Sequence, residues 1–346
     1  MDPSLERYRK QTLFAGIGEQ GQRMLLDSRA LVVGCGALGT VIADQLVRSG
    51  VGHVRIVDRD FVELSNLQRQ VLYDEQDVAE QLPKAVAAVR KLKRINSSIE
   101  IEGIVSDVDH TNILDLARDC HVILDATDNF EIRFLINDAS LETGVPWING
   151  GCVGSHGQVM TVLPGESPCL RCLVENVPEP GTTETCDTAG VIGPAVNVVA
   201  SLQVTEALKL LTGQRELIEP VLTVIDLWHG SFRRLNLGNL AEDSNCPACR
   251  GGERLWLDGT RGSHTTVLCG RNAVQVAPRD RSQVILEELA QRLAGSGKVT
   301  TNPFLVKLEL QDPDYEVTVF RDGRAIIKGT EDIATARGVY ARYIGT

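Results

Sequence analysis

No apolar run in the 346-residue sequence approaches the ~20 residues that a membrane span requires. The amino terminus, Met1-Asp2-Pro3-Ser4-Leu5-Glu6, has no basic stretch followed by an apolar one. Both absences argue against insertion and export, so the expected location is the cytoplasm. An excess of basic charge is also missing. The formal net charge is -11, which argues against a general nucleic-acid surface, because such binding rests on clustered Lys and Arg. Residues 1 to 250 carry 34 acids and 22 bases, whereas residues 251 to 346 carry 12 and 13. The acidity belongs to the first part, and any phosphate site there has to be a local cluster of cations. Internal repeats and low-complexity tracts are absent too. The remaining composition, 43% hydrophobic and 23% charged, is that of an ordinary globular chain. Its length suffices for two domains, or for one large α/β domain with a small appendage.

What is present centres on residues 31 to 70. An apolar strand over Ala30 to Val33 runs into the turn Gly34-Cys35-Gly36-Ala37-Leu38-Gly39, which opens a helix to about Ser49. Glycines at such a turn bring backbone N–H groups close to a phosphate at the positive end of a helix. Alone the pattern is weak, and its default owner is a dinucleotide. A second strand, His53 to Val57, ends at Asp58, 19 residues after Gly39, where an acid commonly takes ribose hydroxyls. The next segment, Ser65-Asn66-Leu67-Gln68-Arg69-Gln70, separates ATP from NAD. Asn66, Gln68 and Arg69, followed by Lys84 at the head of a helix, form a donor set suited to a triphosphate. A surface salt-bridge network is the plainer alternative.

Strands are expected over Ile99 to Ile104 and Val122 to Leu124, the latter ending in Asp125-Ala126-Thr127-Asp128-Asn129. At the carboxyl edge of a parallel sheet Asp128 and Asn129 should face the glycine turn. Asp128 could simply cap the following helix; a Mg²⁺ role is preferred, since the phosphate donors need a metal on the other side of the charge. Further on, a strand from Gln158 to Val162 precedes Cys169-Leu170-Arg171-Cys172, and a second pair, Cys246-Pro247-Ala248-Cys249, follows after residues 173 to 245. In a chain with nine cysteines and no export signal, two C-x-x-C pairs point to a closed, structural Cys₄ zinc site. Between them lies a loop, Glu175 to Gly190, containing Cys186. By base rate this is an incidental thiol, and its neighbours Glu184 and Asp187 would raise its pKa. The helix Pro194 to Leu211 is apolar nearly all round and has to be covered, by the core or by a second subunit. Strands at Val221 to Ile225 and Phe232 to Leu237 close the first domain.

The fold expected is α/β: a Rossmann-like, mostly parallel sheet flanked by helices in residues 1–250, with a small α+β domain over residues 251–346. For the latter, strands are expected near Thr265–Cys269, Ala273–Val276, Phe304–Leu310, Tyr315–Phe320 and Ala325–Lys328. Helices are expected at Ser282–Leu293 and Glu331–Tyr343.

Arg7-Tyr8-Arg9-Lys10-Gln11, Gly34 to Gly39, Asp58, Ser65 to Gln70, Lys84, Asp128-Asn129 and the two cysteine pairs together resemble the MoeB/ThiF group, bacterial relatives of ubiquitin-activating enzymes. The resemblance covers about residues 5 to 250. It implies a homodimeric enzyme that adenylates the C-terminal glycine of a ubiquitin-like sulfur-carrier protein ending in Gly-Gly, using ATP and Mg²⁺ and releasing pyrophosphate. A sulfur donor protein is a further implied partner. The implied nucleotide contacts are Gly34, Gly36, Ala37, Gly39, Asp58, Asp60, Ser65, Asn66, Leu67, Gln68, Arg69, Lys84, Asp128 and Asn129. Asp58 takes the ribose, Asn66, Arg69 and Lys84 hold phosphates, and Asp128 binds Mg²⁺. Where the family usually has a second arginine reaching the neighbour's ATP, this chain has Lys10, which keeps the charge but loses the fork. Cys186 matches the family's reactive cysteine, which carries a thioester or persulfide in some relatives. A carboxylate attacking phosphorus is already ionised, so no catalytic His is needed. The residues do not choose between molybdenum-cofactor, thiamine and other sulfur pathways. Two competing readings, a non-catalytic binding relative and an NAD-dependent oxidoreductase, account for fewer of these residues.

Overall fold

The computed structural model describes residues 3–177, 186–243, 245–261, 265–268, 272–276, 284–311 and 314–344. Within the expected loop around Cys186, residues 178–185, Glu184 among them, lie outside the described residues, as do the Asp187 side chain and Cys269. The chain divides into two compact units, Met1–Arg261 and Gly262–Thr346. Residues just past Gly251 belong with the first, because Trp256 is buried against Phe134 with ring centroids 4.4 Å apart.

The first unit is built on an eight-stranded sheet of order β3-β2-β1-β4-β5-β6-β7-β8. Its strands are β1 (Arg29–Val33), β2 (His53–Asp58), β3 (Glu100–Val105), β4 (Val122–Asp125), β5 (Trp147–Val153), β6 (His156–Val162), β7 (Val221–Asp226) and β8 (Ser231–Asn236). Strands β3, β2, β1, β4 and β5 pair in parallel, and β6 to β8 extend the sheet antiparallel. Near-continuous apolar runs in β1 and β4 follow from burial on both faces, as parallel strands under helices require. The chain builds outward from β1 in one direction and then crosses to β4, so the carboxyl ends of β1 and β4 flank a crevice.

Helices Ala37–Ser49, Lys84–Ile95 and Phe130–Thr143 fill the connections. The Gly193–Leu211 helix lays Val196, Val199, Ala200, Gln203, Val204, Ala207 and Leu211 against the sheet and the Ala37–Ser49 helix. That spacing of three and four is an ordinary helix stripe. Val198 and Leu202, on the opposite side, stay partly exposed. Asn129, not Asp128, caps the Phe130–Thr143 helix, its side chain accepting from the Glu131 N–H.

The second unit is an antiparallel six-stranded sheet of order β11-β12-β13-β14-β10-β9. Its strands are β9 (Thr265–Leu268), β10 (Ala273–Val276), β11 (Lys298–Thr301), β12 (Leu305–Glu309), β13 (Glu316–Phe320) and β14 (Ala325–Lys328). Helices Leu286–Leu293 and Ile333–Tyr343 pack on one face through Leu289, Leu293, Ala336 and Val339, against Val306, Leu308, Val317 and Ile327. Among the described residues no helix is long and apolar enough to cross a membrane.

Candidate nucleotide and metal sites

The glycine turn leaves β1 with Gly34 at φ +93° and hands over to the Ala37–Ser49 helix at Gly36. Two of its glycines are obligatory. A Cβ on Gly34 would lie 2.7 Å from Ala126 O, and one on Gly39 would lie 2.1 Å from Gly34 O. Side chains there would push the turn off the end of β4, so the close approach of the two strand ends depends on them.

Asp58 braces this turn from β2. Its carboxylate accepts from the Cys35 N–H at 2.6 Å and the Asp60 N–H at 2.7 Å. Burial pushes its pKa above the usual carboxylate range, against the pull of Lys84. Lys84 is 4% exposed, and its Nζ lies 3.2 Å from Asp60 Oδ2. The Tyr73 hydroxyl reaches Cys35 O at 2.8 Å and Lys84 O at 3.2 Å, joining the turn to the start of the Lys84–Ile95 helix. Cys35 is inert as a nucleophile, because burial, then the charge of Asp58, push its thiol up to about 12.

Arg59 pairs with Asp107 at 3.2 Å. Burial works against its charge, but Asp107, Asp60, Asp128 and Asp58 outweigh that and raise its pKa. Asp128, exposed at the end of β4, thus shares one field with the turn's acids and Arg59. On the 3-10 turn Leu64–Asn66 and after it, Asn66 is buried, Ser65 and Gln68 are exposed and Leu67 is half-buried. Arg69 donates to Ser65 O at 2.9 Å. Gln70 is 3% exposed, with its Nε2 3.8 Å from where a Gly36 Cβ would stand and its Oε1 lacking a donor among the described residues. A nucleotide hydroxyl or amino group would supply one. Donors, acids and an unsatisfied acceptor around a helix N-terminus fit Mg²⁺–ATP, with Asp128 the exposed carboxylate available to the metal.

Beneath Asp128 lies a buried scaffold that sequence reasoning missed. Asp125, fully buried, accepts from the Thr127 N–H at 2.9 Å and pairs with Arg133 at 3.2 Å. Arg133 also donates to Thr127 O at 2.9 Å, and Gln203 donates to Asp125 O at 2.7 Å and Ile148 O at 3.1 Å. Lys10 stands elsewhere. It is exposed, and Tyr8, two residues before it, meets Asn96 just past the Lys84–Ile95 helix. That is the end of the sheet opposite the crevice, roughly 18 Å away along a 12-residue helix.

Cys169, Cys172, Cys246 and Cys249 bring their sulfurs within 4.8 Å of one another. The pairs are 3.9 Å (Cys169–Cys172), 3.7 Å (Cys169–Cys246) and 3.5 Å (Cys172–Cys249). Contact with Cys172 and burial push the Cys169 thiol far up, and burial, then Cys172 and Cys246, push Cys249 up to about 11. Four such groups cannot ionise together without a central cation, so this donor set fits zinc. Cys186 is not part of it. Its Sγ donates to Cys152 O at 3.0 Å.

The family model for the ThiF family matches residues 8–248. The chain belongs to the ThiF family. The sulfur carrier protein ThiS adenylyltransferase of Bacillus subtilis (strain 168) is 48% identical to this ThiF-family chain over 340 residues, which is 98% of the chain and 99% of that protein. The sulfur carrier protein adenylyltransferase of Thermus thermophilus is 38% identical over 250 residues, 71% of the chain and 90% of that protein. Among solved structures, E. coli MccB with ATP superimposes with a TM-score of 0.59 at 24% identity, covering 70% of the chain and 73% of MccB. That likeness speaks for the fold. For the ThiF-family site, Tyr73, Arg59, Asp107, Asp125, Arg133 and Gln203 are the additions from structure. The pairings Tyr73–Cys35, Arg59–Asp107, Asp125–Arg133 and Gln203–Asp125 span 8 to 78 residues of chain, and no local motif signals them.

Proposed function

We propose that this chain is an adenylyltransferase that uses ATP to activate the C-terminal glycine of a ubiquitin-like sulfur-carrier protein, releasing pyrophosphate. The observation that carries this is the convergence of the glycine turn, Asp58, Lys84, Arg59 and Asp128 on one crevice at the carboxyl ends of β1 and β4. Attack of a carboxylate on the α-phosphate is opposed mainly by repulsion between anions, and positioned cations lower that barrier. Lys84 and Arg59 are already held by carboxylates, so the fold fixes their charges before substrate arrives. Arg69 and Asn66 would add donors to the phosphates. A Mg²⁺ ion on Asp128, when bound, would neutralise the leaving pyrophosphate.

Three further assignments belong to this reading. Zinc in the Cys169, Cys172, Cys246, Cys249 cluster pins the segment after β6 to the end of the first unit. The working form is a homodimer, supported by the partly exposed Val198 and Leu202 of the Gly193–Leu211 helix and by Leu13 and Phe14, 67% and 66% exposed. Within it Lys10, remote from its own crevice, serves the partner's ATP. Cys186 is the position at which the activated carrier, or sulfur from a donor protein, becomes covalently attached. A cytoplasmic setting follows from the dependence on ATP and reduced thiols.

The test is ATP–pyrophosphate exchange with a purified Gly-Gly-ended carrier. Exchange should require the carrier and fall at least about 100-fold in Asp128→Ala. Full exchange in that variant would remove the Mg²⁺ assignment, and ATP binding with no adenylate formed would make the chain a binding relative.

A further inference from the structure

Cys152 near the end of β5 was no part of any motif, yet the fold sets it beside Cys186. The Cys186 sulfur lies 3.0 Å from Cys152 O, an atom two covalent bonds from the Cys152 Cα. Backbone pairing holds the two segments together just beyond. Gly154 N–H donates to Gly190 O at 2.8 Å, Ile192 N–H donates to Gly154 O at 3.0 Å, and Gly154 and Val191 form a parallel bridge. Both cysteines are half-buried. By strand alternation Cys152 shares the face of Ile148 and Gly150, the face that Gln203 of the Gly193–Leu211 helix covers. Cys186 begins the short Cys186–Ala189 helix that packs on β5 before that same helix starts. The remaining described cysteines are either buried in the core, at Cys35 and Cys120, or within the four-cysteine cluster.

We propose that Cys152 and Cys186 form a dithiol–disulfide pair that exchanges with low-molecular-weight disulfides, so that oxidation withdraws the Cys186 thiol and reduction restores it. In the first step the Cys186 thiolate attacks one sulfur of a disulfide RS–SR. The RS–SR bond breaks, a Cys186–SR bond forms, and RS⁻ leaves and takes a proton. In the second step the Cys152 thiolate attacks Cys186 Sγ and expels the second RS⁻. Two protein thiols are oxidised to one disulfide while RS–SR is reduced to two thiols. Cys186 goes first because the Cys152 thiol is pushed up to about 12, by burial and then by the neighbouring Cys186 charge. Once Cys186 is capped that second cause is gone, which favours the Cys152 attack. Cys152 lies outside the adenylation residues, and for Cys186 the pair rests on the covalent role proposed above and adds its control. Loss of pyrophosphate exchange and loss of the pair are separate results.

The experiment treats zinc-loaded, full-length protein with oxidised glutathione, alkylates the free thiols and maps peptides without reduction. The native chain should yield a linked Cys152–Cys186 peptide with little glutathione on Cys186. Cys152→Ser, with Cys152→Ala as a second variant should the first not fold, should retain about tenfold more glutathione on Cys186. Cys186→Ser should leave Cys152 unmodified. Pyrophosphate exchange should be the same in oxidised and reduced native protein and in Cys152→Ser. Equal glutathione on Cys186 in native and Cys152 variants, a link from Cys186 to another cysteine, or no reaction at Cys186 would each overturn the pair.

Discussion

Cys246→Ser should remove the metal and with it a measurable part of the first unit's stability. A tetrahedral zinc with sulfur ligands at ~2.3 Å has sulfur–sulfur edges of about 3.8 Å. Three of the six edges here are 3.9, 3.7 and 3.5 Å, and all six lie within 4.8 Å, so zinc can enter with shifts of about 1 Å or less. Cys246 is 4% exposed and shares a core with Leu170, Ala248, Trp256 and Phe134; a serine hydroxyl there is a poor zinc ligand in a buried place. Zinc at a thousandfold above its dissociation constant stabilises the folded state by about 4 kcal/mol. For a unit of this size that corresponds to roughly 8 °C or more in Tm. Metal analysis and thermal unfolding with and without chelator test this. The native protein should carry about one zinc per chain, melt lower with chelator, and then match Cys246→Ser, which chelator should leave unchanged. Native protein with no zinc when prepared without chelator, or a variant melting within about 1 °C of native, would refute the reasoning.

Gly39→Ala puts a Cβ 2.1 Å from Gly34 O; the turn has to open, so ATP affinity measured by calorimetry should fall at least about tenfold, and native affinity would show the close approach to be dispensable. Arg133→Met strands the buried Asp125 carboxylate, costing about 3–5 kcal/mol near neutral pH. Burial already holds the Asp125 pKa above the usual carboxylate range despite Arg133. A raised acid contributes stability that is present below its unfolded pKa and lost as pH rises through the folded one. The Tm deficit of the variant should therefore narrow as pH is lowered towards about 4; a deficit independent of pH would contradict this. Lys10→Ala and Asp128→Ala should each be inactive alone. Mixed after dissociation they should recover about a quarter of native exchange, since half the dimers then carry one intact site; no recovery would place Lys10 outside the partner's site.

Several elements that sequence reading did not anticipate have physical reasons. Strand β5 contains Asn149, Gly150 and Gly151, which weaken strand character locally. It forms because β4 and β6 offer partners on both sides, with Ile148 opposite Leu124 and Thr161. Strand β11, Lys298 to Thr301, is a short polar edge whose only pairing among the described residues is to β12. The acids of the crevice were legible by position, but their work was not. Asp58 spends hydrogen bonds on Cys35 and Asp60, and Asp60 holds Lys84, 24 residues on. The helix cap next to Asp128 fell to Asn129, which left Asp128 exposed.

By itself the sequence determined those features whose cause is local: the glycines no other residue can replace, the apolar runs of β1 and β4, the paired cysteines at ligand spacing. Only the tertiary structure decided what depends on residues far apart in the chain. It closed the Asp125–Arg133–Gln203 scaffold under Asp128, set Lys10 at the opposite end from its own crevice, and laid Cys186 against Cys152. Buried polar groups take whichever partner the packed chain brings to them, and that choice is made by topology and not by spacing.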